Sequence, residues 1–418
     1  MKKKIYNNLV KINSFVLYIL PISLVTGPFI PNLIVTLTCV VSLFLIIYNR
    51  EFKYFDNLFF KFFLIFSIYL IINSALNEKF NLNNVSGYTY LRYSIFSIAI
   101  WHTLENNINF FRNFTKIFIL TVLLLFIDSI FQYFNGTNLL GIQKSSYNKI
   151  SSFFGKDVKL GAYLARIYIF VFMFFYLFLD KKLSNILYLN LFNLLFATII
   201  LLTGERTSFL IFILNFLLIN FITRENYFNK IVAFLVVVLA SIIIFVNVKD
   251  VKTRYIDDTF KQLTESNMNN SGYNLLSKTH ESHYRIAYKM FSDSKFFGQG
   301  PNSFRNLCSE DKFRLSVNGD GCSTHPHNIY MQLLGETGLI GFLFLLIAFF
   351  YIYSLLISCL LNIQKKNKNL ENKIYFYVPT AVYLFPFIPT GSFFNSWVNI
   401  IVYLPMGFLL KDIYSKND

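Results

Sequence analysis

Long apolar runs alternate with short polar segments along most of this 418-residue chain. A helix needs roughly 20 mostly apolar residues to span a bilayer core of about 30 Å, and twelve runs approach that length. The runs are 12–29, 30–48, 57–76, 90–104, 114–134, 160–179, 183–203, 206–222, 230–248, 329–361, 374–390 and 396–410. The pattern predicts an all-α polytopic membrane protein with about twelve transmembrane helices.

The charges of the chain fit this fold class and predict its orientation. Only 14% of the residues are charged, against roughly 25% in soluble proteins. The formal net charge of +16 indicates membrane orientation rather than binding of nucleic acid, because basic residues concentrate in segments such as 2–4 and 365–368. We therefore expect both termini in the cytoplasm, with residues 1–11 as a retained tail rather than a signal peptide. Asp128 and Arg166 fall within spans and are expected to form an internal ion pair.

One long hydrophilic segment, 249–328, separates the ninth and tenth predicted spans. Its charges are mixed, and apolar residues are scattered through it, which favours a small folded cap over a disordered linker. Excursions of this length in a compact chain are usually functional. The domain prediction is a membrane part over 1–248, a large periplasmic loop or cap over 249–328, and a second membrane part over 329–418.

The four cysteines divide into two pairs. Cys39 and Cys359 lie in spans, where cysteine usually fills the core. Cys308 and Cys322 lie in the cap, and in an oxidising periplasm we expect them to form a disulfide worth roughly 3 kcal/mol. The bond would brace the segment that leads to His325. The sequence has no CxxC motif, which argues against a zinc ribbon or a thioredoxin-type site.

Two arginine-bearing segments are candidates for binding an anion. Arg206 lies in the tight turn 203–208 between two spans, where a planar guanidinium suits a diphosphate. The alternative is an interfacial anchor that pairs with Glu205. Arg285 begins a short amphipathic stretch followed by a glycine turn at 298–301. Its alternatives are a solvated surface charge and a plain structural turn.

The sharpest pattern is 325–328, His-Pro-His-Asn, which nine residues separate from Gly338 and Gly341. Pro326 cannot continue a helix backwards, so the histidines mark the mouth of the tenth helix. The two glycines are expected to allow close approach of a neighbouring helix. A neutral imidazole at this mouth could accept a proton near physiological pH, as His327 would as a general base.

Together these features resemble the O-antigen ligase and polymerase superfamily of membrane glycosyltransferases, which have about twelve spans and one large periplasmic loop. The ligase motif of His, then Asn, Ser or Gln, nine residues and GxxG is matched by 327–341. The segments 204–206 and 285–304 resemble the two arginine-bearing segments of the family. The good match covers about 190–360.

The resemblance implies transfer of a glycan from undecaprenyl diphosphate to the lipid A–core acceptor at the periplasmic face of the bacterial inner membrane. The reaction would be inverting and metal-independent, with no cofactor. The implied partners are a lipid-linked glycan donor, a lipid A–core or glycan acceptor, and membrane lipids. His327 is the expected base, and Arg206 and Arg285 would meet the charge of the diphosphate. The residues expected to bind substrate are His325, Asn328, Glu336 and Gly300.

Four other functions stay open at this point. A polymerase would join lipid-linked repeat units with the same donor, and a protein O-oligosaccharyltransferase would use a protein hydroxyl. A polysaccharide transporter is a further alternative, because twelve spans are common among transporters. His280 and His283 have helical i,i+3 spacing, and together with His325 and His327 they could form a zinc or copper site.

Overall fold

The computed structural model describes residues 3–77, 85–145, 148–155, 157–178, 183–222, 227–265, 278–315, 321–363 and 368–414. These residues form helices joined by loops, and they contain no strand beyond isolated bridges. The helices are α1 (Lys3–Ser23), α2 (Phe29–Tyr48), α3 (Leu58–Leu76), α4 (Val85–Tyr88), α5 (Arg92–Asn106), α6 (Phe110–Asn135), α7 (Leu160–Phe178), α8 (Leu183–Leu202), α9 (Arg206–Ile222), α10 (Tyr227–Asn247), α11 (Lys249–Lys252), α12 (Asp258–Glu265), α13 (Lys278–Asp293), α14 (Phe304–Leu307), α15 (Ile329–Ile363), α16 (Lys368–Tyr383) and α17 (Ser396–Tyr414).

The predicted all-α, multi-pass fold class is confirmed. Every predicted apolar run coincides with one of these helices. Six helices of the described residues are long and apolar enough to cross a membrane, namely α2, α3, α6, α10, α15 and α17. Shorter apolar helices occur in α7, α8 and α9. The count of twelve spans remains a prediction.

Two boundaries differ from the predicted runs. Helix α1 begins at Lys3, so most of the segment 1–11, predicted as a tail, is helical. Helix α16 ends at Tyr383 rather than at position 390. The sequence just beyond contains two prolines, which lack an N–H group and clash with the preceding turn of a helix. The resulting loop, 384–395, contributes to the candidate site described below.

The centre of the bundle is the contact between α5 and α17. Nearly every side chain of α17 from Trp397 to Leu410 is buried, and so is most of α5. A Cβ atom at Gly407 would collide with Ile100 and with the carbonyl oxygen of Ser97. The glycine therefore lets the two helices approach closely, which is how small residues act in membrane helix pairs.

The predicted ion pair between Asp128 and Arg166 is wrong. The Asp128 carboxylate accepts a hydrogen bond from the N–H of Leu139 at 2.8 Å and another from the hydroxyl of Ser152. Arg166 donates instead to the carbonyl oxygen of Ala162 at 2.9 Å. Asp128 therefore holds the loop between α6 and α7, because an acidic group buried at a helix end can be satisfied by backbone N–H groups.

Residues 249–328 are called the cap from here on, and the side of the bundle that bears them is called the cap side. The described cap segments contain α11 to α14, and α13 packs on α15. A small hydrophobic cluster lies inside the cap, formed by Ile286, Ala287, Met290, Phe304, Leu307, Cys308 and Phe313. This cluster fixes α13 against the start of α15, where the candidate site lies.

Candidate active site

Helix α15 begins directly after the His-Pro-His segment and breaks at Gly338, where φ is 64° and ψ is −165°. The loop 295–300 crosses the break, because the N–H of Leu339 donates to the carbonyl of Lys295 at 2.8 Å. A Cβ atom at Gly298 or at Gly338 would collide with the backbone of the other segment. The close neighbour of Gly338 is therefore this glycine loop and not the helix that the sequence predicted.

Glu336 connects α15 to the same loop. Its carboxylate is almost fully buried and accepts hydrogen bonds from the N–H groups of Asn302 and Phe304, at 2.9 and 3.0 Å. Gln332 donates a third bond at 3.0 Å. The N–H of Gly300 donates to the Glu336 carbonyl oxygen at 2.7 Å. Glu336 and Gly300, two of the four residues predicted to bind substrate, thus hold the loop against the helix.

Asn328 caps the N-terminus of α15. Its Oδ1 accepts hydrogen bonds from the N–H groups of Tyr330 and Met331, at 2.9 and 3.1 Å, which is the usual role of asparagine at this position. Its Nδ2 donates to the carbonyl of Pro386, in the loop after α16, at 2.8 Å. Both ends of the amide are engaged within the protein.

Four histidine rings meet at this helix mouth. The centroid of the His327 ring lies 4.2 Å from that of His325, 5.4 Å from that of His283 and 5.7 Å from that of His280. His327 adopts a left-handed backbone conformation with φ of 59°, which is uncommon for a residue other than glycine. Its carbonyl oxygen accepts a bond from the N–H of Thr390 at 2.8 Å. The loop after α16 thereby holds His327 in place.

The hydrogen bonds define the tautomers of two of the rings. Nδ1 of His283 lies 2.7 Å from the carbonyl oxygen of Gly321, and because a carbonyl only accepts, that nitrogen carries the proton. Nε2 of His325 donates in the same way to the carbonyl of Thr390 at 3.2 Å. Nδ1 of His325 then accepts from the hydroxyl of Thr324 at 2.9 Å. These bonds fix the orientation of both rings.

Burial lowers the pKa values of three of these histidines. The pKa of His327 falls from 6.5 to about 3, mainly through burial and also through the adjacent His325, His283 and His280. The pKa of His325 falls to about 4, again mainly through burial. His280 has a lowered pKa through burial, through His283 and through the charge of Arg206. These lowered pKa values favour the neutral form of His280, His325 and His327 at pH 7, and a neutral imidazole keeps a lone pair that can accept a proton.

The arrangement does not favour the zinc or copper alternative. Among the residues that the structure describes, no group of three or more His, Cys, Asp or Glu side chains is placed to hold a metal ion. The four rings lie face to edge and tilted against one another, and their assigned nitrogens contact carbonyl and hydroxyl groups. A ligand set would need several ring nitrogens that converge on one point.

A disulfide lies next to the histidines. Cys308 and Cys322 are bonded, with their Cα atoms 5.0 Å apart. The bond joins the end of α14 to the segment that supplies Gly321 and Ser323. The Ser323 hydroxyl lies 3.4 Å from Nε2 of His327. Cys39 and Cys359 are buried and outside any disulfide.

Arg206 lies at the edge of the histidine group. Its guanidinium donates to the hydroxyl of Thr259 at 2.7 Å and to Oε1 of Gln262 at 3.0 Å, which ties α9 to α12. Its charge acts on His280, so the two side chains are near each other. Glu205 does not pair with Arg206 in the described residues, because its carboxylate binds the backbone at the start of α7. The anchor pair that the sequence allowed is absent there.

Arg285 is placed differently. Its guanidinium forms an ion pair with Glu281, and its side chain is 65% exposed. Buried residues of α13 recur at His283, Ile286 and Ala287, so Arg285 lies on the opposite, outward face of the helix. The charge of Arg206 acts on His280, whose ring lies 5.7 Å from that of His327, whereas the Arg285 guanidinium points away from this group.

Helix α13, the histidine mouth and Arg206 fall within one stretch of chain that is similar to a known family. Residues 191–346 match the family model described as O-antigen ligase. The resemblance to the O-antigen ligase superfamily is confirmed. The matched stretch runs from α8 through the cap into α15, while α1 to α7, α16 and α17 lie outside it. A comparison with curated proteins gives no significant match.

Within the segment that matches the family model, the sequence analysis assigned His280 and His283 only to a metal site. Their i,i+3 spacing places both on one face of α13, and that signal was sufficient to group them with each other. Nothing in the sequence pointed to Thr390, because its contact with His327 joins positions that are far apart in the chain.

Proposed function

We propose that this protein is a glycosyltransferase that moves a glycan from undecaprenyl diphosphate to the lipid A–core acceptor, as an O-antigen ligase does. The observation that carries the proposal is the group of four histidine rings at the mouth of α15, on which the charge of Arg206 acts through His280, inside the segment that matches the O-antigen ligase family. In this proposal the reaction inverts the sugar centre and uses no metal ion or cofactor.

The proposed location is the bacterial inner membrane, with both termini in the cytoplasm and the cap in the periplasm. Basic residues at 2–4 and 365–368 support the cytoplasmic assignment of the side opposite the cap. The bond between Cys308 and Cys322 supports the periplasmic assignment of the cap, because structural disulfides persist in oxidising compartments.

In the proposed reaction, the acceptor hydroxyl gives its proton to a ring nitrogen of His327 while its oxygen attacks the anomeric carbon. The bond from that carbon to the diphosphate breaks on the opposite side, and the electron pair leaves with undecaprenyl diphosphate. Arg206 stabilises the growing negative charge, because a fixed guanidinium near a developing anion is worth more than a solvated one. Arg285 enters this scheme only after its ion pair with Glu281 opens.

The low pKa of His327 suits a base that is activated by its substrate. With no anion nearby, a pKa of about 3 makes the ring a weak base, since general bases work best when their pKa lies near the operating pH. A diphosphate within a few ångströms favours the protonated imidazole and raises its pKa. The donor itself therefore prepares His327 to accept the proton.

A strain that lacks this gene tests the proposal. Loss of all long chains from lipopolysaccharide, with accumulation of lipid-linked polymer, is the expected result. A core that carries a single repeat unit would make the protein a polymerase that uses the same donor. Unchanged lipopolysaccharide together with loss of glycan from proteins would make it an oligosaccharyltransferase. Transfer by the purified chain from a lipid-linked donor, before and after treatment with a chelator, tests the metal independence.

A further inference from the structure

A second feature on the cap side is a cavity of about 310 Å³ that opens beside Arg206. It lies between the loop after α6, the turn between α8 and α9, and the first residues of the cap. The residues that line it are Asn148, Lys149, Leu202, Gly204, Lys249, Asp250, Val251, Thr253, Arg254 and Asp258. Its volume is at the lower end of the roughly 300–1,000 Å³ of ligand pockets, which suits a small polar group.

Positive charges crowd this cavity. Lys149 and Arg254 face it from two separate segments, and the charges of Arg254 and Arg206 both act on Lys149. The pKa of Lys149 is lowered, by burial first and then by Arg254 and Arg206, while the charge of Glu205 acts in the opposite direction. Like charges held together raise the free energy of the folded chain. An anion bound between them would remove that cost.

The acidic residues nearby only partly offset these cations. Asp258 lies 3.3 Å from Arg254, and Asp250 lies 3.4 Å from the amide of Asn148. The charge of Glu205 acts on Lys149, although its carboxylate accepts its hydrogen bonds from the N–H groups of the first turn of α7 and from Ser208.

Arg254 also carries a donor that points to a ligand. Its Nε is buried and has no hydrogen-bond partner among the described residues. A buried donor without a partner costs about 1–3 kcal/mol, so such groups usually meet a ligand, an ion or water. Gly204 lies between the two cations, since a Cβ atom at that position would be in van der Waals contact with Lys149 at 3.5 Å and with Arg254 at 3.7 Å.

We propose that this cavity binds the diphosphate of the polyprenyl carrier, with Lys149 and Arg254 as its ligands beside Arg206. The identity of the carrier rests on the proposed function, while the anion site rests on the cavity, its charges and the unpaired Nε. An arginine offers several parallel N–H groups to phosphate oxygens and a lysine adds a point charge.

The test is binding of geranylgeranyl diphosphate to the purified full chain in phosphatidylcholine nanodiscs, measured by calorimetry. Arg254→Gln and Lys149→Gln should each weaken binding by about tenfold to 100-fold, the effect of losing one charge-assisted contact. Lys252→Gln is the matched control, because Lys252 is exposed on the same segment and does not line the cavity. Its affinity should equal that of the wild type.

Asp258→Asn gives a result of the opposite sign. It removes the carboxylate that pairs with Arg254, so binding should tighten by several-fold, which a misfolded chain cannot do. Wild-type affinity in both Arg254→Gln and Lys149→Gln, weaker binding by Asp258→Asn, or no binding by the wild type would overturn the site. Loss of diphosphate binding in phosphatidylglycerol nanodiscs would make it a lipid headgroup site and overturn the assignment to the carrier.

The proposed function fails separately. If the wild type binds the diphosphate as expected but transfers no glycan, the site stands and the glycosyltransferase proposal falls. If the wild type transfers glycan while Arg254→Gln and Lys149→Gln bind and transfer like the wild type, the site falls and the glycosyltransferase proposal stands.

Discussion

The two ends of the helix bundle each contain a group of titratable side chains, and the groups are built differently. On the side opposite the cap, the Glu105 carboxylate accepts hydrogen bonds from Lys53 at 2.8 Å, Tyr54 at 2.6 Å and Trp101 at 2.7 Å. The adjacent His102 is buried and lies 3.4 Å from a carboxylate oxygen of Glu51. Opposite charges and donors meet there, as in a group that stabilises a fold.

The cap-side group has the reverse character. Four histidine rings lie together, and burial makes the charged form of His280, His325 and His327 less favourable. A left-handed residue at the centre, His327, adds backbone strain. Such features cost stability and tend to occur where a site must take up a proton or an anion. We therefore propose that the first group serves folding and that the second group serves chemistry.

His327→Ala should have the largest effect of the substitutions that test this comparison. We expect transfer to fall by about 10²–10⁴-fold, the usual contribution of a general base, with an unchanged amount of folded protein. The measurement is glycan transfer by purified protein, together with binding of a lipid-linked donor. If donor binding is lost as well, His327 is a ligand of the diphosphate and not the base.

A comparison of Arg206→Ala with Arg285→Ala distinguishes the roles of the two arginines on the cap side. The Arg206 guanidinium adjoins His280, and its loss should lower transfer by about 10²–10³-fold, as for other charge-stabilising groups. The Arg285 guanidinium faces outward and pairs with Glu281, so its loss should cost less than about tenfold, the usual range for an exposed ion pair. Equal losses in the two variants would show that Arg285 swings inward when substrate binds.

The sequence predicted the regular parts of this protein because their signals are local. Apolar runs are contiguous, so each predicted span coincides with a helix, and Pro326 marked the start of α15. The outward direction of Arg285 was also readable, since Ile286, Ala287 and Met290 repeat with the period of a helix. The helical period of these residues and the resemblance to the family therefore lead to different expectations for Arg285.

Contacts between distant segments could not be predicted from the sequence. Gly338 packs closely against Gly298 rather than against the neighbouring helix that the sequence predicted. The hydrogen bond from the N–H of Thr390 to the carbonyl oxygen of His327 joins two loops. Asp128 illustrates the same limit. Its burial required a partner, as expected, but the chain offered a nearby loop rather than Arg166. Burial of a polar group fixes the need for a partner and leaves its identity to the packing.

Glu105→Gln tests the group of titratable side chains on the side opposite the cap. Removing the charge weakens three charge-assisted hydrogen bonds, and we expect the free energy of unfolding to fall by about 2 kcal/mol. Transfer per folded molecule should stay at the wild-type value. The measurement is chemical unfolding in detergent beside a transfer assay, and a selective loss of transfer would mean that this group also serves chemistry.

The smallest expected effect is on the dependence of folding stability on pH. The folded chain keeps the pKa of His325 at about 4 and that of His327 at about 3, below the ordinary 6.5. As pH falls below about 6.5 the unfolded chain therefore binds protons first, and stability declines until the folded values are reached. Above pH 6.5 these two residues do not contribute to the dependence of stability on pH. The double variant His325→Gln, His327→Gln should lose less stability between pH 7.5 and 5.0 than the wild type, measured as the midpoint of thermal unfolding in detergent. Equal losses would mean that the neutral histidines do not destabilise the fold in acid, and the contrast with the Glu105 group would then rest on geometry alone.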